Sequence, residues 1–412
     1  MSAPADPRHR VWMVNHYATD PTESSSGSRH FSLAKGLARH GWDATIIAAS
    51  TDHPSGLQRS GMTTTALRRI EGVEFQFLRT PSYPGSAVRR LWNMMSFTQK
   101  LLAARFARSR PRPDVIIGST VHPAAAWAAS ALSRRWGVPF VFEVRDLWPA
   151  TLIDMGKLAP NGVIARAMRR LERHLCDRAS AIITLLPYAG AYLEDQGVSP
   201  EKVIWISNGC AVADFPKVEP SAASPFTFMY LGSIGRANGV DDIIRAFAPL
   251  APSSRLVLYG TGAFESSVRD LARELGIETA VEFRGVVPKA RVPEVMREAD
   301  ALVMNVLDLA VYRHGISMNK LFDYMASGLP IVMASSAPNN PVRDSDAGIS
   351  VPAADQGSFT AAMRRMSESS DEQRRTWGDN GRRHVAEHYD YDVLAEKLAS
   401  VLTQASQSEN VR

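Results

Sequence analysis

Cysteine is scarce in this 412-residue sequence, which contains only Cys176 and Cys210. Two cysteines are too few for a disulfide-stapled domain or a cysteine metal site, and they fit a reducing compartment. The sequence has no stretch of about 18 consecutive apolar residues, so no segment is expected to span a membrane. The first residues also lack the apolar core of a signal peptide. Together these absences predict a cytoplasmic protein.

Acidic residues are absent between Phe75 and Pro113, although the net charge of the chain is only +5. The basic residues of this segment are Arg79, Arg89, Arg90, Lys100, Arg105, Arg108, Arg110 and Arg112. Its apolar residues with helical spacing are Val88, Leu91, Trp92, Met95, Leu102 and Phe106. A basic amphipathic helix over 86–110 could lie on the inner face of the cytoplasmic membrane, or pack into a core with its basic face in solvent. Nucleic acid is not an expected partner, because the segment lacks repeated aromatics on a sheet.

The chain is long enough for two domains with separate cores. Strand and helix patterns alternate in both halves, on either side of a proline-rich linker at 214–225. This alternation predicts an α/β fold of two doubly wound, Rossmann-like parallel-sheet domains, which we expect to face each other across a cleft. The expected domains are 1–213 and 226–390, followed by a last helix and polar tail over 391–412.

In the first half, polar residues follow the predicted strands at their carboxyl ends, where parallel sheets bind ligands. A small-residue loop after strand 11–15 contains Gly27 and Ser28 and enters a helix, which is a weak phosphate-binding pattern. His122 follows the buried strand 114–118, and its position favours a ligand contact over a structural role. Strand 138–144 ends in a polar cluster that would recognise the acceptor or the donor sugar, or else form an ion-paired loop: Glu143, Arg145, Asp146 and Trp148.

Glycine loops also precede helices in the second half. Gly232 and Ser233 lie in one such loop, and Arg236 could clamp a phosphate there through two hydrogen bonds. Gly260 begins a Gly-x-Gly run after the next strand, but Glu265 stands where a dinucleotide fingerprint has its third glycine. A dehydrogenase is therefore not favoured.

The segment 311–330 carries the strongest functional pattern. Its second half predicts an amphipathic helix that ends at Gly328. The loop before the helix contains Gly315, Ile316, Ser317 and Asn319, and Lys320 lies in the first turn. Free backbone N–H groups, the positive end of the helix dipole and a lysine favour an anion such as a diphosphate. Asp323, about one turn further on, could accept hydrogen bonds from ribose hydroxyls.

This segment resembles the donor-site signature of the family 4 retaining glycosyltransferases, which have the GT-B fold. That family has two acidic residues eight positions apart. The second matches Asp323 in Asp323-Tyr-Met-Ala-Ser-Gly-Leu-Pro-Ile-Val, whereas the first falls on Gly315. The run HGISMNKLFDYMASGLPIV is similar to a bacterial subgroup that transfers amino sugars of the fucosamine type in lipopolysaccharide or capsule assembly. The resemblance extends from about residue 11 to about residue 398.

The resemblance implies a glycosyltransferase that uses a nucleotide-sugar, with UDP as the expected nucleotide, and a lipid-linked or oligosaccharide acceptor, without a cofactor. It places a histidine beside the donor sugar at His122 and the nucleotide base at the turn that holds Val286. The Arg145–Pro149 run also matches the subgroup, and the last helix of this fold crosses back to the first domain. No Asp-x-Asp pair or histidine cluster stands near the glycine loops, so we expect no metal ion.

The family's two phosphate-binding basic residues align with Ser233 and Asn238, so Arg236 and Lys320 are the expected substitutes. These two residues would stabilise charge on the leaving diphosphate, and His122 would contact the sugar ring or the diphosphate. Two alternatives stay open. One is a nucleotide-sugar epimerase on the same fold, and the other is an inactive nucleotide-sugar-binding partner in an assembly.

Overall fold

The computed structural model describes residues 8–21, 29–53, 55–108, 110–218 and 225–409. Contacts within the chain divide it into two units, one formed by Met1–Ser207 with Tyr391–Arg412 and the other by Asn208–Asp390. The division lies at 207/208, earlier than the expected linker, because Cys210, Phe215 and Val218 are buried in the core of the second unit. Of the linker itself, residues 219–224 lie outside the described ranges.

The elements of the first unit, in chain order, begin with strand β1. They are β1 (His9–Val14), α1 (Arg29–Leu37), β2 (Trp42–Ala49), β3 (Ala66–Ile70), β4 (Val73–Leu78), α2 (Ala87–Ala103), β5 (Val115–Ser119), α3 (Pro123–Trp136), β6 (Phe140–Val144), α4 (Ala150–Asp154), α5 (Val163–Arg178), β7 (Ala181–Thr184), α6 (Ala189–Glu194) and β8 (Val203–Trp205).

The second unit contains six strands and seven α-helices in its described residues, and a last helix then rejoins the first unit. They are β9 (Phe226–Leu231), α7 (Val240–Phe247), β10 (Ser254–Tyr259), α8 (Glu265–Glu274), β11 (Val281–Gly285), α9 (Val292–Val295), β12 (Ala301–Asn305), α10 (Asn319–Ser327), β13 (Ile331–Ala334), α11 (Pro341–Asp344), β14 (Gly348–Val351), α12 (Gln356–Glu368), α13 (Asp371–His388) and α14 (Tyr391–Glu409). Helix α14 packs on α1 of the first unit.

The sheet of the first unit has eight strands in the order β3-β4-β2-β1-β5-β6-β7-β8. All neighbours pair in parallel except β3 and β4, so the expected parallel sheet carries one antiparallel edge. The cause is the two-residue turn Glu71-Gly72, in which both residues have positive φ (44° and 88°). Such a turn forms a tight hairpin, whereas parallel strands need a long crossover.

Strand order in this first sheet reverses next to β1, which has β2 on one side and β5 on the other. The strands there are buried along their apolar lengths, as is typical of a sheet covered on both faces. The residues that follow β1 and β5, Asn15–Tyr17 and Thr120–His122, therefore lie at a topological switch point, where such sheets bind ligands.

The second sheet is entirely parallel, in the order β11-β10-β9-β12-β13-β14. Its switch point lies between β9 and β12, and Gly232 directly follows β9. Helix α10 belongs to the crossover from β12 to β13. The prediction of two doubly wound α/β units is therefore confirmed.

Helix α2 buries a different face from the one that its apolar residues suggest. Val88, Leu91, Trp92 and Met95 are 80%, 60%, 67% and 45% exposed, respectively. The buried side chains are instead Asn93, Phe97, Thr98 and Leu101. The core-packed alternative is therefore wrong for the first half of this helix. No helix in the described ranges is long and apolar enough to cross a membrane.

Candidate functional site

The amine of Lys320 lies at the switch point of the second sheet. Its Nζ is 2.9 Å from the hydroxyl of Tyr230 and 2.5 Å from the amide oxygen of Asn238. It also lies beside Gly232, where a side-chain Cβ would be 3.0 Å from Nζ. Asn238 and Tyr230 both donate hydrogen bonds to the carbonyl of Ser233. Helix α10 thus brings its lysine to the loop that follows β9.

Lys320 has no carboxylate partner among the residues that the structure describes. Burial therefore acts on its charge without compensation and lowers the pKa of the amine from 10.5 to about 7. The neighbours that hold the amine, a hydroxyl and an amide, are neutral. A cation in this environment gains from any anion that binds beside it.

The loop after β9 is held by a close approach of the next loop. The hydrogen atom of Gly260 that a side chain would replace points at the Gly232 carbonyl, and a Cβ there would lie 1.8 Å from that oxygen. Gly260 N–H donates to the carbonyl of Gly285 at 2.7 Å, which links the end of β11 to the same group of loops. Val286 follows and is 57% exposed. Gly232, Gly260 and Val286 thus stand on three adjoining loops.

The loop before α10 is fixed by side chains, which removes one of the N–H groups expected to be free. Ile316 is buried, and its N–H donates to Asn339 Oδ1 at 2.8 Å while its carbonyl accepts from Asn339 Nδ2 at 2.9 Å. Ser317 is held in the same way, since Asn208 donates to its hydroxyl and to its carbonyl at 2.8 and 2.6 Å. The expectation of a free N–H is therefore wrong for Ile316.

The N–H groups of Asn319 and Lys320 differ, because neither has an acceptor in the described part of the chain. They lie in the first turn of α10, at the positive end of its dipole. Gly315, which begins the loop, has φ 101°. The amides of Asn319 and Lys320 and the Lys320 amine thus keep the features of the anion-binding pattern.

Asp323 faces a partner that the sequence did not indicate. Its carboxylate forms an ion pair with Lys289, which lies in the 3-10 turn Lys289–Arg291 after β11. The Asp323 side chain is largely buried. A ribose hydroxyl that bound Asp323 would therefore share the carboxylate with Lys289.

Arg236 does not join the Lys320 network, in which Asn238 is the residue from its loop. The Arg236 side chain is exposed and lines a cavity of about 420 Å³ together with Arg245 of α7 and Phe264. The expectation that Arg236 and Lys320 both stabilise the leaving diphosphate stays a prediction, and only Lys320 contacts the loop after β9 at Asn238.

His122 is the residue directly before α3, at the switch point of the first sheet, and its side chain makes no capping hydrogen bond to the helix. Its Nδ1 is 3.0 Å from Nδ1 of His16, the second residue after β1. Burial and then the nearby Arg90 lower the pKa of His122 to about 4, so the imidazole is neutral at pH 7. The preceding residue, Val121, has φ 137°, a conformation that is costly for a β-branched side chain and is found mostly at functional sites.

Glu143 lies at the centre of a buried ion-pair cluster. One carboxylate oxygen accepts from Arg29 Nε at 2.9 Å, and the other lies 2.8 Å from His30 Nε2 and 2.6 Å from the hydroxyl of Ser119. Burial by itself raises the pKa of this carboxyl, but His30 and Arg29 lower it well below its ordinary value. Arg29 also donates to the carbonyls of Ile206 and Ser207. The contacts of Glu143 thus match the ion-paired alternative.

The other residues of the polar cluster that the sequence predicts after β6 are more exposed to solvent than Glu143. Arg145 and Trp148 are half-buried, and Asp146 is exposed to solvent. Arg145 N–H donates to the hydroxyl of Thr120, which ties this loop to the end of β5. A sugar-binding role of these three residues stays a prediction.

Gly27 and Ser28 lie outside the described residues. Within the described ranges, no group of three His, Cys, Asp or Glu side chains is arranged to hold a metal ion. Sequence reasoning missed His16, Asn93, Tyr230 and Lys289. The sequence could have indicated His16, because this residue follows a strand at its carboxyl end just as His122 does.

Two family models match the chain. The glycosyl transferase 4-like domain matches residues 27–209, and the model described as glycosyl transferases group 1 matches residues 225–369. The first match ends and the second begins near the division between the two units. Together the two matches support a group 1 glycosyltransferase.

A known protein of similar sequence is the probable glycosyltransferase WbjE of Pseudomonas aeruginosa. It is 25% identical over 191 residues, which cover 43% of this chain and 47% of WbjE, so the chain spans about half the length of that relative.

Two solved structures share the fold over nearly the whole chain. Sucrose-phosphate synthase from Thermosynechococcus elongatus has a TM-score of 0.74 and 18% identity, covering 97% of this chain and 100% of that one. Anabaena HepE in complex with UDP and glucose has a TM-score of 0.68 and 14% identity, covering 96% and 100%. These similarities confirm the GT-B fold.

The first prediction concerns the cost of burying Lys320. Replacing Lys320 by methionine should stabilise the free protein by a few kcal/mol at pH 7 or below, because the unfolded lysine is charged there and the folded environment opposes that charge. The gain should shrink as the pH rises from 7 toward 10.5, where the unfolded lysine also becomes neutral. Denaturant unfolding at several pH values measures this difference.

The control is Lys397→Met, which removes an exposed lysine of α14. Its stability difference from the unmodified protein should stay small and nearly constant with pH. The prediction fails if Lys320→Met and Lys397→Met show the same pH dependence.

Proposed function

We propose that this glycosyltransferase moves an N-acetylated amino sugar from a UDP-sugar to a lipid-linked or saccharide acceptor in surface-polysaccharide biosynthesis. The anomeric configuration is retained, and no metal ion is required. The nucleotide diphosphate binds to the second unit, at the loop after β9 and the start of α10. The observation that carries this proposal is half-buried Lys320, whose amine lies beside Gly232 and has no carboxylate partner among the described residues.

The positive charge of the Lys320 amine can act on the negative charge that develops during the reaction. As the bond between sugar and diphosphate breaks, negative charge develops on the diphosphate oxygens. A preorganised amine and two free N–H groups at Asn319 and Lys320 would stabilise that charge without needing to reorient. Lys320 also contacts Asn238, the position at which the resemblance places a basic residue. Lys320 of α10 thus supplies a positive charge next to Asn238, the position at which the family has a basic residue and this chain has a neutral one.

The identity of the substrates has separate support. The HepE structure contains UDP and glucose, which supports a UDP-sugar donor for this chain of the same fold. The amino sugar and the polysaccharide pathway follow from the resemblance of the run HGISMNKLFDYMASGLPIV. Val286, exposed on the loop next to Gly260, supplies an apolar surface for the nucleotide base.

A lipid-linked acceptor requires access to a membrane, and helix α2 offers a suitable surface. It exposes Val88, Leu91, Trp92 and Met95 beside Arg89, in a segment without acidic residues. A helix with exposed apolar residues and adjacent arginines binds anionic lipid surfaces. We therefore assign the protein to the cytoplasmic side of the membrane as a peripheral protein.

The second prediction tests nucleotide binding and turnover together. UDP bound beside Lys320 should raise the pKa of its amine above about 7, so binding at pH 8 should take up a proton. Calorimetric titration with UDP in buffers of different ionisation enthalpy measures this uptake. Lys320→Ala should abolish it and lower turnover at least tenfold, or about 1.4 kcal/mol. Lys397→Ala should change neither quantity.

The turnover assay measures UDP release from UDP-N-acetylglucosamine and UDP-N-acetylgalactosamine, with and without a lipid-linked acceptor and with and without EDTA. Release only with acceptor, insensitivity to EDTA and an unchanged anomeric configuration by NMR support the proposal. Conversion of the donor without acceptor would indicate an epimerase. UDP binding without any conversion would indicate an inactive partner, and absence of UDP binding would overturn the assignment of the site.

The third prediction concerns the contact between Asp323 and ribose. Asp323→Asn should weaken the binding of UDP more than that of its 2′- and 3′-deoxy analogues, because each analogue lacks a hydroxyl that the carboxylate would accept from. Calorimetry with the three ligands measures the difference. Glu278→Gln, a change of an exposed carboxylate, should weaken none of them. An equal loss for all three ligands would remove Asp323 from ribose recognition.

The fourth prediction concerns helix α2. Arg89→Glu should reduce binding to vesicles of phosphatidylglycerol and phosphatidylcholine by about fivefold or more, since each basic residue near such a surface contributes about 1 kcal/mol. Trp92→Ser should reduce it by loss of apolar contact. Arg90 is not used, because its Nε donates to Tyr17.

The matched control is Arg364→Glu, which makes the same charge change on α12, where no large apolar residue is exposed among those described. Co-sedimentation with vesicles is the measurement. Equal losses for Arg89→Glu and Arg364→Glu would mean that α2 has no special contact with the membrane.

A further inference from the structure

Asn93 is a buried amide on α2 whose orientation is determined by its neighbours. Its Nδ2 lies 2.7 Å from the carbonyl of Pro81 and 3.0 Å from the hydroxyls of both Thr51 and Thr80. A peptide carbonyl only accepts hydrogen bonds, so the amide nitrogen must be the atom that faces Pro81. The other atom, Oδ1, therefore faces Nε2 of His16 at 2.7 Å.

The Asn93 oxygen in turn determines which nitrogen of His16 carries the proton. Because Oδ1 is an acceptor, Nε2 of His16 must be the protonated nitrogen. Burial first, and the proximity of His122 second, lower the pKa of His16 well below its ordinary value, so the ring is neutral. Its Nδ1 therefore carries a lone pair. Nδ1 of His122, 3.0 Å away, must then donate to it.

We propose that Asn93 and His16 are positioning residues that hold His122 as its Nδ1–H tautomer, so that Nε2 of His122 accepts a hydrogen bond from a hydroxyl of the sugar or the acceptor. The identity of that ligand rests on the proposed glycosyltransferase function. The tautomer itself is a property of the protein without substrate. The Nε2 atom has no hydrogen-bond partner in the described part of the chain.

This assignment decides between the two contacts expected for His122. A diphosphate oxygen is itself an acceptor, so it gains no hydrogen bond from an unprotonated Nε2. A hydroxyl can donate to that nitrogen. His122 therefore contacts a hydroxyl and not a diphosphate oxygen.

Burial is the main reason that both rings are neutral, and the charged and titratable groups around the pair act in the same direction. Arg90 of α2 lowers the pKa of both His16 and His122, and His53, in the loop after β2, lowers that of His16. The ring of Tyr17 also stacks on the ring of His16. Protonation of His122 should therefore not limit activity above about pH 5, since its pKa is about 4.

The fifth prediction is spectroscopic and needs no substrate. Protein labelled with ¹⁵N-histidine should show, at pH 7, His122 protonated on Nδ1 and His16 protonated on Nε2 in two-bond ¹H–¹⁵N correlations. The variants His122→Gln and His16→Gln assign the two signals. A His122 ring protonated on Nε2, or on both nitrogens, would overturn the proposal, whatever the enzyme's activity.

Two variants change the tautomer by different chemistry. His16→Phe keeps a ring in the stack but removes the acceptor, which frees His122 to adopt its intrinsically preferred Nε2–H form. Asn93→Asp places a carboxylate beside His16 and favours its cation, whose Nδ1–H then donates to His122. Both should move the His122 proton to Nε2 and lower kcat at least tenfold, with the KM for the donor changed less than about twofold.

The control is Thr98→Val on the same helix, whose hydroxyl donates only to the carbonyl of Met94. It should leave tautomer and kcat unchanged. Thermal unfolding identifies any variant that fails to fold, and the spectrum of the unmodified protein then decides the tautomer alone. A folded variant that loses the Nδ1–H form and keeps its kcat, or keeps that form and loses its kcat, would overturn the proposal. Absence of transferase activity in the unmodified protein would refute the function and leave the tautomer measurable.

Discussion

Removal of a charge from water without a counter-ion is the constraint on which the candidate site depends. The Lys320 amine lies among a tyrosine hydroxyl, a side-chain amide and glycine backbone, none of which carries a negative charge. A buried lysine costs stability unless something pairs with it. The strands, the glycine contacts between loops and the start of α10 hold the amine there. The unpaired charge makes folding less favourable, and an anionic ligand that pairs with the amine removes this cost, which favours binding.

The first unit contains a buried charge that, unlike Lys320, is paired with other side chains. Glu143 is also deeply buried, but Arg29, His30 and Ser119 surround its carboxylate. A carboxylate with such partners has little left to offer a ligand, and its contacts tie β6 to α1 and to the end of the unit at Ser207. A charged residue at a strand end thus serves structure or function according to whether the protein itself satisfies it.

The sequence was sufficient for the alternation of strands and helices and for the position of His122 at the end of β5. These features follow from local periodicity and from the rule that parallel sheets bind ligands at strand ends. The partners of the site residues were not predictable, because they are distant in sequence: Lys320 contacts Tyr230, and Glu143 contacts Arg29. The apolar residues of helix α2 indicated the wrong buried face for a physical reason. It buries the amide of Asn93, which has hydrogen-bond partners at Pro81 and His16, on the same face as Phe97 and Leu101, and a count of apolar side chains does not include that amide.

The contact between Gly260 and the Gly232 carbonyl limits how this protein can diverge. Any side chain at position 260 would overlap a backbone oxygen of the neighbouring loop, which cannot rotate away as a side chain can. Even alanine would require β9 and β10 to separate at their carboxyl ends, where the Lys320 amine is held. Relatives that conserve this loop arrangement should therefore keep glycine there over long evolutionary distances, even though the residue itself offers no functional group.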